Sequence, residues 1–354
     1  MTTKLSSFLV CMWTGLLLVG GSALVRFAAA QQPTLPPRTA QVVDDQTLIV
    51  NTDLVSLTVT VTDRDGRYVA GLDKSAFAVY DDKVQQEITF FSDEDAPISV
   101  GIVFDTSASM SGEKIVRARD AVARFIETSH AGDEYFLIAF DSRARLLLDR
   151  THDSAAILNK VTFVQPGGQT ALYDAAYLGV EKLLRGMHER RALIIISDGE
   201  DNSSRYSLKE LVRQVKESGV LVYTIGILDP LVSTDTSETH ERWMQRSRTQ
   251  GFSPVESASH QYDRMTLEEL SIPSGGRAFL AHNATEITDG FEQIALELRH
   301  QYSIGYRPAN FNSDGKWHRI KIKVNPPAGF PHLILRTREG YYAVSKLTNV
   351  RETQ

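Results

Sequence analysis

The chain has 354 residues, of which 42% are hydrophobic and 23% are charged, an ordinary composition for one large globular domain or two modest ones. The formal net charge is -6 and the sequence has no basic stripe, which argues against a nucleic-acid or anionic-membrane surface. The only cysteine, Cys11, lies close to the N terminus. A chain that loses this segment can form no disulfide, so packing alone has to stabilise its fold.

Residues 1–30 have the pattern of a signal peptide. Lys4 precedes an apolar run over residues 8–25, and Ala28-Ala29-Ala30 supplies small residues for cleavage before Gln31. We therefore expect an extracytoplasmic protein, which is secreted, periplasmic or on the cell surface. Because the apolar run is long and Arg26 follows it, an uncleaved membrane anchor is the alternative, and only then would the chain be attached to a membrane.

The next segments predict a linker and then the first part of a β domain. Residues 31–45 are rich in Gln, Pro and Thr and have no apolar period, which is typical of a linker. In residues 46–96, apolar side chains alternate with Ser and Thr around Val55, Leu57, Val59 and Val61, as in a half-buried strand. Two further strand patterns, near residues 77–80 and 88–91, lie on either side of a turn at Asp81-Asp82-Lys83.

Residues 97–300 alternate between apolar strands and amphipathic helices. The strand patterns lie at residues 98–104, 135–140, 192–196 and 221–227, and the helix patterns start near 113 and cover about 171–187, 208–218 and 286–299. Almost continuously apolar strands that alternate with helices indicate a parallel sheet covered on both faces. We therefore predict an α/β domain with a doubly wound, mostly parallel sheet.

Antiparallel strand patterns return in residues 301–345. Tyr302, Ile304 and Tyr306 alternate with polar residues or glycine, and so do Ile320 and Ile322 with charged residues. Each flank alone has too few strands for a stable sandwich. We therefore predict that residues 46–96 and 301–345 form one β-sandwich into which the α/β domain is inserted, followed by a tail at 346–354.

Three loops of the α/β domain carry the candidate site. Asp105, Ser107 and Ser109 form a D-x-S-x-S loop directly after the first strand, Thr170 follows two glycines, and Asp198 follows the strand at 192–196. In an open α/β sheet, ligands bind beyond the carboxyl ends of the strands, which is where these loops are expected to meet.

All five side chains provide hard oxygen atoms. Such a set suits Mg²⁺, with Mn²⁺ or Ca²⁺ as alternatives, better than Zn²⁺, which prefers His and Cys. With the three neutral hydroxyls as direct ligands and the two aspartates acting partly through water, the charge of the ion is not fully neutralised, so it can attract a carboxylate from a protein partner. Asp174 lies one turn into a helix and is expected to orient backbone or serine groups instead.

The same residues resemble the metal-ion-dependent adhesion site of von Willebrand factor type A domains, which occur in integrins and many bacterial surface proteins. The similar motifs are Asp105-Thr-Ser-Ala-Ser109, Gly168-Gln-Thr170-Ala-Leu-Tyr-Asp174 and Ile196-Ser-Asp198-Gly-Glu-Asp201. The flanking motifs Val59-Thr-Val-Thr-Asp63-Arg-Asp-Gly66 and Tyr302-Ser-Ile-Gly-Tyr306-Arg-Pro308 resemble exported VWFA-related bacterial proteins, which are common in acidobacteria. The resemblance covers about residues 46–345. It implies a Rossmann-like domain, a divalent metal site and a non-enzymatic role in adhesion.

Two other functions stay open. An ion that only stabilises the three loops would make the domain a structural module. A phosphotransferase could use an aspartate after the first strand, but that chemistry needs a second acid two residues later, where this chain has Ser107. No motif of a common hydrolase is present in the sequence, and we predict neither catalytic residues nor a small-molecule substrate.

The stretch at residues 229–264 has no sustained period and is long for a loop. It follows a predicted sheet strand and therefore leaves the sheet at the edge of the candidate site. Trp243 and Met244 could give it an apolar anchor, so we expect this stretch to take part in selecting the partner.

Overall fold

The computed structural model describes residues 54–128, 130, 132–228, 254–309, 314–326 and 332–343. The predicted signal peptide, linker and C-terminal tail lie outside the described residues, as do residues 229–253 with Trp243 and Met244. Within the described ranges, no helix combines the length and the apolar character needed to cross a bilayer.

The N-terminal flank forms four strands. They are β1 (Val55–Thr62), β2 (Phe77–Asp81), β3 (Val84–Gln86) and β4 (Ile88–Ser92). The turn between β2 and β3 places Asp82 and Lys83 at positive φ, +45° and +73°, so this hairpin reverses through two non-glycine residues in the left-handed region.

The central domain is built on a six-stranded sheet. Its strands are β5 (Ser99–Asp105), β6 (Glu134–Phe140), β7 (Ala144–Thr151), β8 (Arg191–Ser197), β9 (Leu221–Ile227) and β10 (Arg277–Ala281). The spatial order is β10-β9-β8-β5-β6-β7, and every pairing is parallel except that between β6 and the edge strand β7. All seven residues of β5, β6 and β9 are buried, as expected for strands covered on both faces.

Helices cover both faces of this sheet. They are α1 (Glu113–Glu127), α2 (Ser154–Phe163), α3 (Leu172–Leu183), α4 (Leu208–Ser218), α5 (Pro254–Ser271) and α6 (Ala284–Arg299). One core includes residues of α1, α2 and α6, and the other includes residues of α3 and α4. Local signals set the helix ends: α4, for example, begins with a capping box between Ser207 and Glu210 and ends at Gly219 in the left-handed region.

The C-terminal flank supplies strands β11 (Gln301–Tyr306), β12 (Trp317–Val324), β13 (Ile334–Arg336) and β14 (Gly340–Tyr342). They interleave with the N-terminal strands in two four-stranded antiparallel sheets, ordered β13-β1-β11-β4 and β14-β12-β2-β3. The register places Val55 opposite Tyr306 and Asp81 opposite Ile320. The two sheets share one apolar core, to which both flanks contribute.

A buried glutamate joins the flanking sheets to the central domain. Glu297 of α6 is fully buried and accepts hydrogen bonds from Thr60 Oγ1 at 3.1 Å and Tyr223 OH at 3.0 Å. Arg336 Nη2 lies 2.5 Å from its other oxygen. One carboxylate therefore links α6 to β1, β9 and β13.

The predicted fold class is confirmed: a mostly parallel six-stranded sheet with helices is flanked in sequence by the strands of two antiparallel sheets. The exact domain limits stay a prediction. Part of the predicted loop is wrong, since α5 begins at Pro254 and not after residue 264. The patterns in the sequence also predicted no element at α2, β3, β7, β10 or β14.

Candidate functional site

The candidate site lies at the carboxyl ends of β5 and β8, which are neighbours in the sheet. From β5 the chain passes through α1 to β6 on one side, and β8 pairs on the other. This point, where the direction of strand addition reverses, is where open α/β sheets form a crevice for ligands.

The first loop folds around the Asp105 carboxylate. Asp105 is fully buried, and its Oδ1 accepts a hydrogen bond from the Ser107 amide at 2.8 Å. The Ser107 and Ser109 hydroxyl oxygens are 3.0 Å apart. A short 3₁₀ turn, Ala108–Met110, then leads towards α1. The spacing of the D-x-S-x-S motif thus brings one carboxylate and two hydroxyls together on a single loop.

The second loop is held against the first by backbone hydrogen bonds. The Gly167 amide donates to Thr106 O at 2.8 Å, and the Ala108 amide donates to Gly168 O at 3.2 Å. Gly168 has φ +81°, and a Cβ at this position would lie 2.8 Å from a serine hydroxyl. Glycine is therefore required for the close approach that carries the buried Thr170 to the site.

The third loop brings a second carboxylate close to the first. Ser197, at the end of β8, donates from its hydroxyl to Asp105 Oδ2 at 2.5 Å. Asp198 is 7% exposed, and its Oδ1 is buried with no hydrogen-bond partner. Its Oδ2 lies 3.5 Å from the Lys114 ammonium. Burial, followed by the negative charge of Asp198, raises the pKa of Asp105 from 3.8 to about 7.

Two further aspartates organise the surrounding loops. Asp174 Oδ1 accepts hydrogen bonds from the Arg205 amide at 2.9 Å and the Tyr206 amide at 3.0 Å. Asp201 Oδ1 accepts from the Ser204 hydroxyl at 2.6 Å and the Tyr173 amide at 3.2 Å. The prediction that Asp174 orients backbone groups agrees with these contacts, and Asp201 has the same kind of role.

The donor set fits a hard divalent cation. Asp105, Ser107 and Ser109 are in direct contact, Asp198 is close enough to perturb Asp105, and Thr170 is carried by a loop bonded to the first. A buried carboxylate oxygen without a hydrogen bond is unfavourable unless a cation neutralises it. The five residues are thus gathered at one sheet edge, and their role as metal ligands stays a prediction.

Three residues that the sequence did not single out also shape the site. Ser197 bonds Asp105, Lys114 pairs with Asp198, and the Asn202 carboxamide accepts a hydrogen bond from the Thr170 amide at 2.9 Å. Only Ser197 gave a signal, because it directly precedes Asp198. The other two acquire their roles when separate loops meet.

Comparisons with known proteins give distant relatives. An uncharacterized protein of Synechocystis sp. is 26% identical over 144 residues, which cover 39% of this chain and 34% of the relative. Inter-alpha-trypsin inhibitor heavy chain H1 of Bos taurus is 24% identical over 239 residues, which cover 63% of this chain and 23% of the relative. The chain thus spans about a third or less of the length of these curated relatives.

The solved structures that resemble the chain include a von Willebrand factor type A protein from Catenulispora acidiphila. It matches with a TM-score of 0.43 and 13% identity, over 75% of this chain and 73% of that one. The match to a protein family lies within the central domain. Residues 100–200, which contain all five predicted ligands, match the family model of the von Willebrand factor type A domain.

Proposed function

We propose that this chain is an exported binding protein that uses a Mg²⁺-like ion to hold a carboxylate of a protein partner. The observation that carries the proposal is the buried, unpartnered Oδ1 of Asp198 beside the buried carboxylate of Asp105. Two carboxylates taken out of water in this way need compensating positive charge, of which Lys114 beside Asp198 Oδ2 supplies only one. The match of residues 100–200 to type A domains, which often bind a divalent metal, supports the same conclusion.

The ion would be held by Asp105, Ser107, Ser109, Thr170 and Asp198. When bound, it supplies a Lewis-acidic position for an oxygen atom from outside the chain. If the hydroxyls are direct ligands and the two aspartates act partly through water, the charge of the ion is incompletely neutralised, which favours an anionic sixth ligand. Lys114 pairs with Asp198 Oδ2 at 3.5 Å, so this cation adds to the positive field that a partner's carboxylate meets.

We propose binding and not catalysis at this site. The phosphotransferase alternative needs a general acid or base two residues after Asp105, and that position holds Ser107. Its hydroxyl oxygen lies 3.0 Å from the Ser109 hydroxyl, and a serine hydroxyl is too weak an acid and too weak a base to replace a carboxyl group in general acid–base catalysis near neutral pH. The same geometry suits the two hydroxyls as neutral ligands of one ion.

A test with Mn²⁺ and labelled acetate separates a binding site from a purely structural ion. Mn²⁺ replaces Mg²⁺, and electron paramagnetic resonance follows its binding to the full chain. Acetate labelled with ¹³C in its carboxyl group represents the carboxylate of a protein partner. We expect Mn²⁺ to bind and the bound ion to broaden the acetate carboxyl signal. A Thr170→Val variant should lose the Mn²⁺ binding at this site and the acetate broadening that depends on it, whereas Thr288→Val, which changes a threonine on helix α6 whose hydroxyl donates to Ala284 O, should keep both.

The alternative outcomes are distinct. If Mn²⁺ binds and raises the melting temperature while the acetate carboxyl signal stays sharp, the ion is structural and the proposed binding of a partner's carboxylate is wrong. If Mn²⁺ does not bind, or binds Thr170→Val equally well, the metal site itself is wrong. A partner protein, once isolated, should be released by a chelator and should lose binding when its acidic residue is changed to the corresponding amide.

A further inference from the structure

The β-sandwich carries a second group of metal-binding side chains, away from the five residues of the first site. Asp81 is the last residue of β2, Asp82 follows in the hairpin turn, and His318 lies on the neighbouring strand β12. One ligand atom from each of the three lies within 4.8 Å of the other two. We propose that these residues bind a first-row transition ion, with Zn²⁺ as the preferred species.

Of the two distances around the imidazole, the shorter matches shared coordination and the longer requires a small movement of the ring or the carboxylate. His318 Nδ1 lies 3.0 Å from Asp82 Oδ2 and 3.9 Å from Asp81 Oδ1. Two atoms bound to one ion at about 2.1 Å are about 3.0 Å apart at a right angle and about 3.4 Å apart at a tetrahedral angle. The Asp82 side chain is 54% exposed, and its Oδ1 accepts a hydrogen bond from the Arg319 amide at 2.9 Å, which leaves Oδ2 for the ion. Water has access to any remaining position from the same side.

The buried carboxylate gives independent evidence for a ligand. Asp81 is 5% exposed, and its Oδ2 accepts hydrogen bonds from the Tyr306 and Tyr341 hydroxyls, each at 2.9 Å. Its Oδ1 has no hydrogen-bond partner and faces the His318 ring. The two phenols fix the carboxylate with one oxygen directed at the ring. An unsatisfied buried oxygen in this position is costly unless a cation binds it.

The other ring nitrogen has the surroundings expected of a metal-bound histidine. His318 Nε2 lies 3.6 Å from Asp314 Oδ1 and has no hydrogen-bond partner of its own. The Lys316 amide donates to the same Asp314 oxygen at 2.9 Å. With Nδ1 on the ion, Nε2 carries the proton and points towards a carboxylate, as the second nitrogen of a metal-bound histidine commonly does.

The ligand types distinguish this group from the first site. An imidazole with two carboxylates favours Zn²⁺ and its neighbours in the first row over Mg²⁺, which prefers oxygen alone. The competing explanation is that a protonated His318 forms an ion pair with Asp81 and Asp82. That explanation needs no metal and predicts no metal-dependent signal.

The test titrates Co²⁺, a spectroscopic substitute for Zn²⁺, into the full chain. Millimolar Mg²⁺ is present throughout so that the all-oxygen site is occupied. We expect one equivalent of Co²⁺ to give a visible d–d absorption band that Zn²⁺ abolishes. His318→Gln and Asp82→Asn should each weaken Co²⁺ binding at least about tenfold. Asp314→Asn should weaken binding less and keep the band, because Asp314 acts through the histidine.

Controls keep the test decisive. His332→Gln changes an exposed histidine and should bind Co²⁺ like the unmodified chain, and so should Asp105→Ala, which disables the first site. Asp82 is exposed, so Asp82→Asn leaves the fold intact even if His318→Gln does not fold. The proposal is overturned if the unmodified chain gives no d–d band, or if Asp82→Asn binds Co²⁺ with unchanged affinity. In either case the three side chains form an ion pair only.

Discussion

Replacing Asp105 with asparagine should stabilise the metal-free protein at neutral pH. Asp105 is fully buried, and burial together with the negative charge of Asp198 raises its pKa from 3.8 to about 7. The folded state therefore binds this proton more tightly than the unfolded state, so the metal-free protein loses stability as the pH rises from 3.8 towards 7. Raising this pKa from 3.8 to about 7 corresponds to about 4 kcal/mol in the free energy of unfolding. The metal-free protein loses all of this stability above pH 7 and none of it below pH 3.8.

Urea unfolding followed by circular dichroism measures this effect. With EDTA present, the free energy of unfolding of the unmodified chain should fall between pH 5 and pH 8, whereas that of Asp105→Asn should change much less. At pH 8 the variant should be the more stable protein. Mg²⁺ should narrow this difference, since an ion at 100 times its dissociation constant stabilises the unmodified chain by about 2.7 kcal/mol and the variant lacks one ligand.

The matched control is Asp120→Asn, which changes an exposed carboxylate on helix α1 and should reproduce the pH dependence of the unmodified chain. A flat profile for the unmodified chain in EDTA would show that Asp105 and Asp198 are not strained against each other. A slope that survives in Asp105→Asn would assign the pH dependence to another group. Either result would remove the electrostatic reason for placing a cation between these loops.

Three further changes test other parts of the structure. Glu297→Ala should lower the free energy of unfolding by about 3–5 kcal/mol, because the partly buried Arg336 and the buried hydroxyls of Thr60 and Tyr223 lose their acceptor. Thermal unfolding checks this, and exposed Glu292→Ala on the same helix should have an effect close to zero. Gly168→Ala should weaken Mg²⁺ binding at least about tenfold, because φ is +81° and the added Cβ would clash with a serine hydroxyl. Calorimetry measures the affinity, and an unchanged value would show that the loop adapts. Ser207→Ala removes the capping box of α4 and should cost about 1 kcal/mol in chemical denaturation, and a cost near zero would mean that water replaces the cap.

The sequence predicted the strands whose burial is uniform or alternates strictly. β5 and β9 are buried throughout and mostly apolar, and the side chains of β1 that face the core follow a period of two for most of its length. Whether one or both faces of a sheet are buried determines the order of apolar and polar residues along each strand, so these patterns can be recognised in the sequence. The two flanks pair as antiparallel strands because neither has enough strands to cover an apolar face alone.

The missed elements have weak local patterns. β7 is an edge strand with exposed and half-buried residues, and its pairing with β6 contains two register shifts. β10 is short, with one buried residue of five. Strands like these are defined by the neighbour they pair with and not by their own residues. The early start of α5 at Pro254 lies in a Ser-rich stretch, which reads as a loop.

The residues of the candidate site also differ in how well the sequence predicts them. Carboxylates and hydroxyls directly after a strand were recognisable by chemistry and position, so Asp105, Ser107 and Asp198 could be selected from the sequence. Lys114 and Asn202 could not, because a lysine in a first helical turn and an asparagine in a loop are common. Their contacts with Asp198 and Thr170 arise only when three loops meet in space.

The interleaved strands of the sandwich also set the order in which the chain can fold during synthesis. β1 pairs with β11 and β13, and β2 pairs with β12, so N-terminal strands emerge from the ribosome long before their partners. The central domain, whose contacts are closer in sequence, can close first and bring β4 and β11 side by side. Until then β1 presents two unpaired edges, which makes the nascent N-terminal flank the segment most dependent on protection from aggregation.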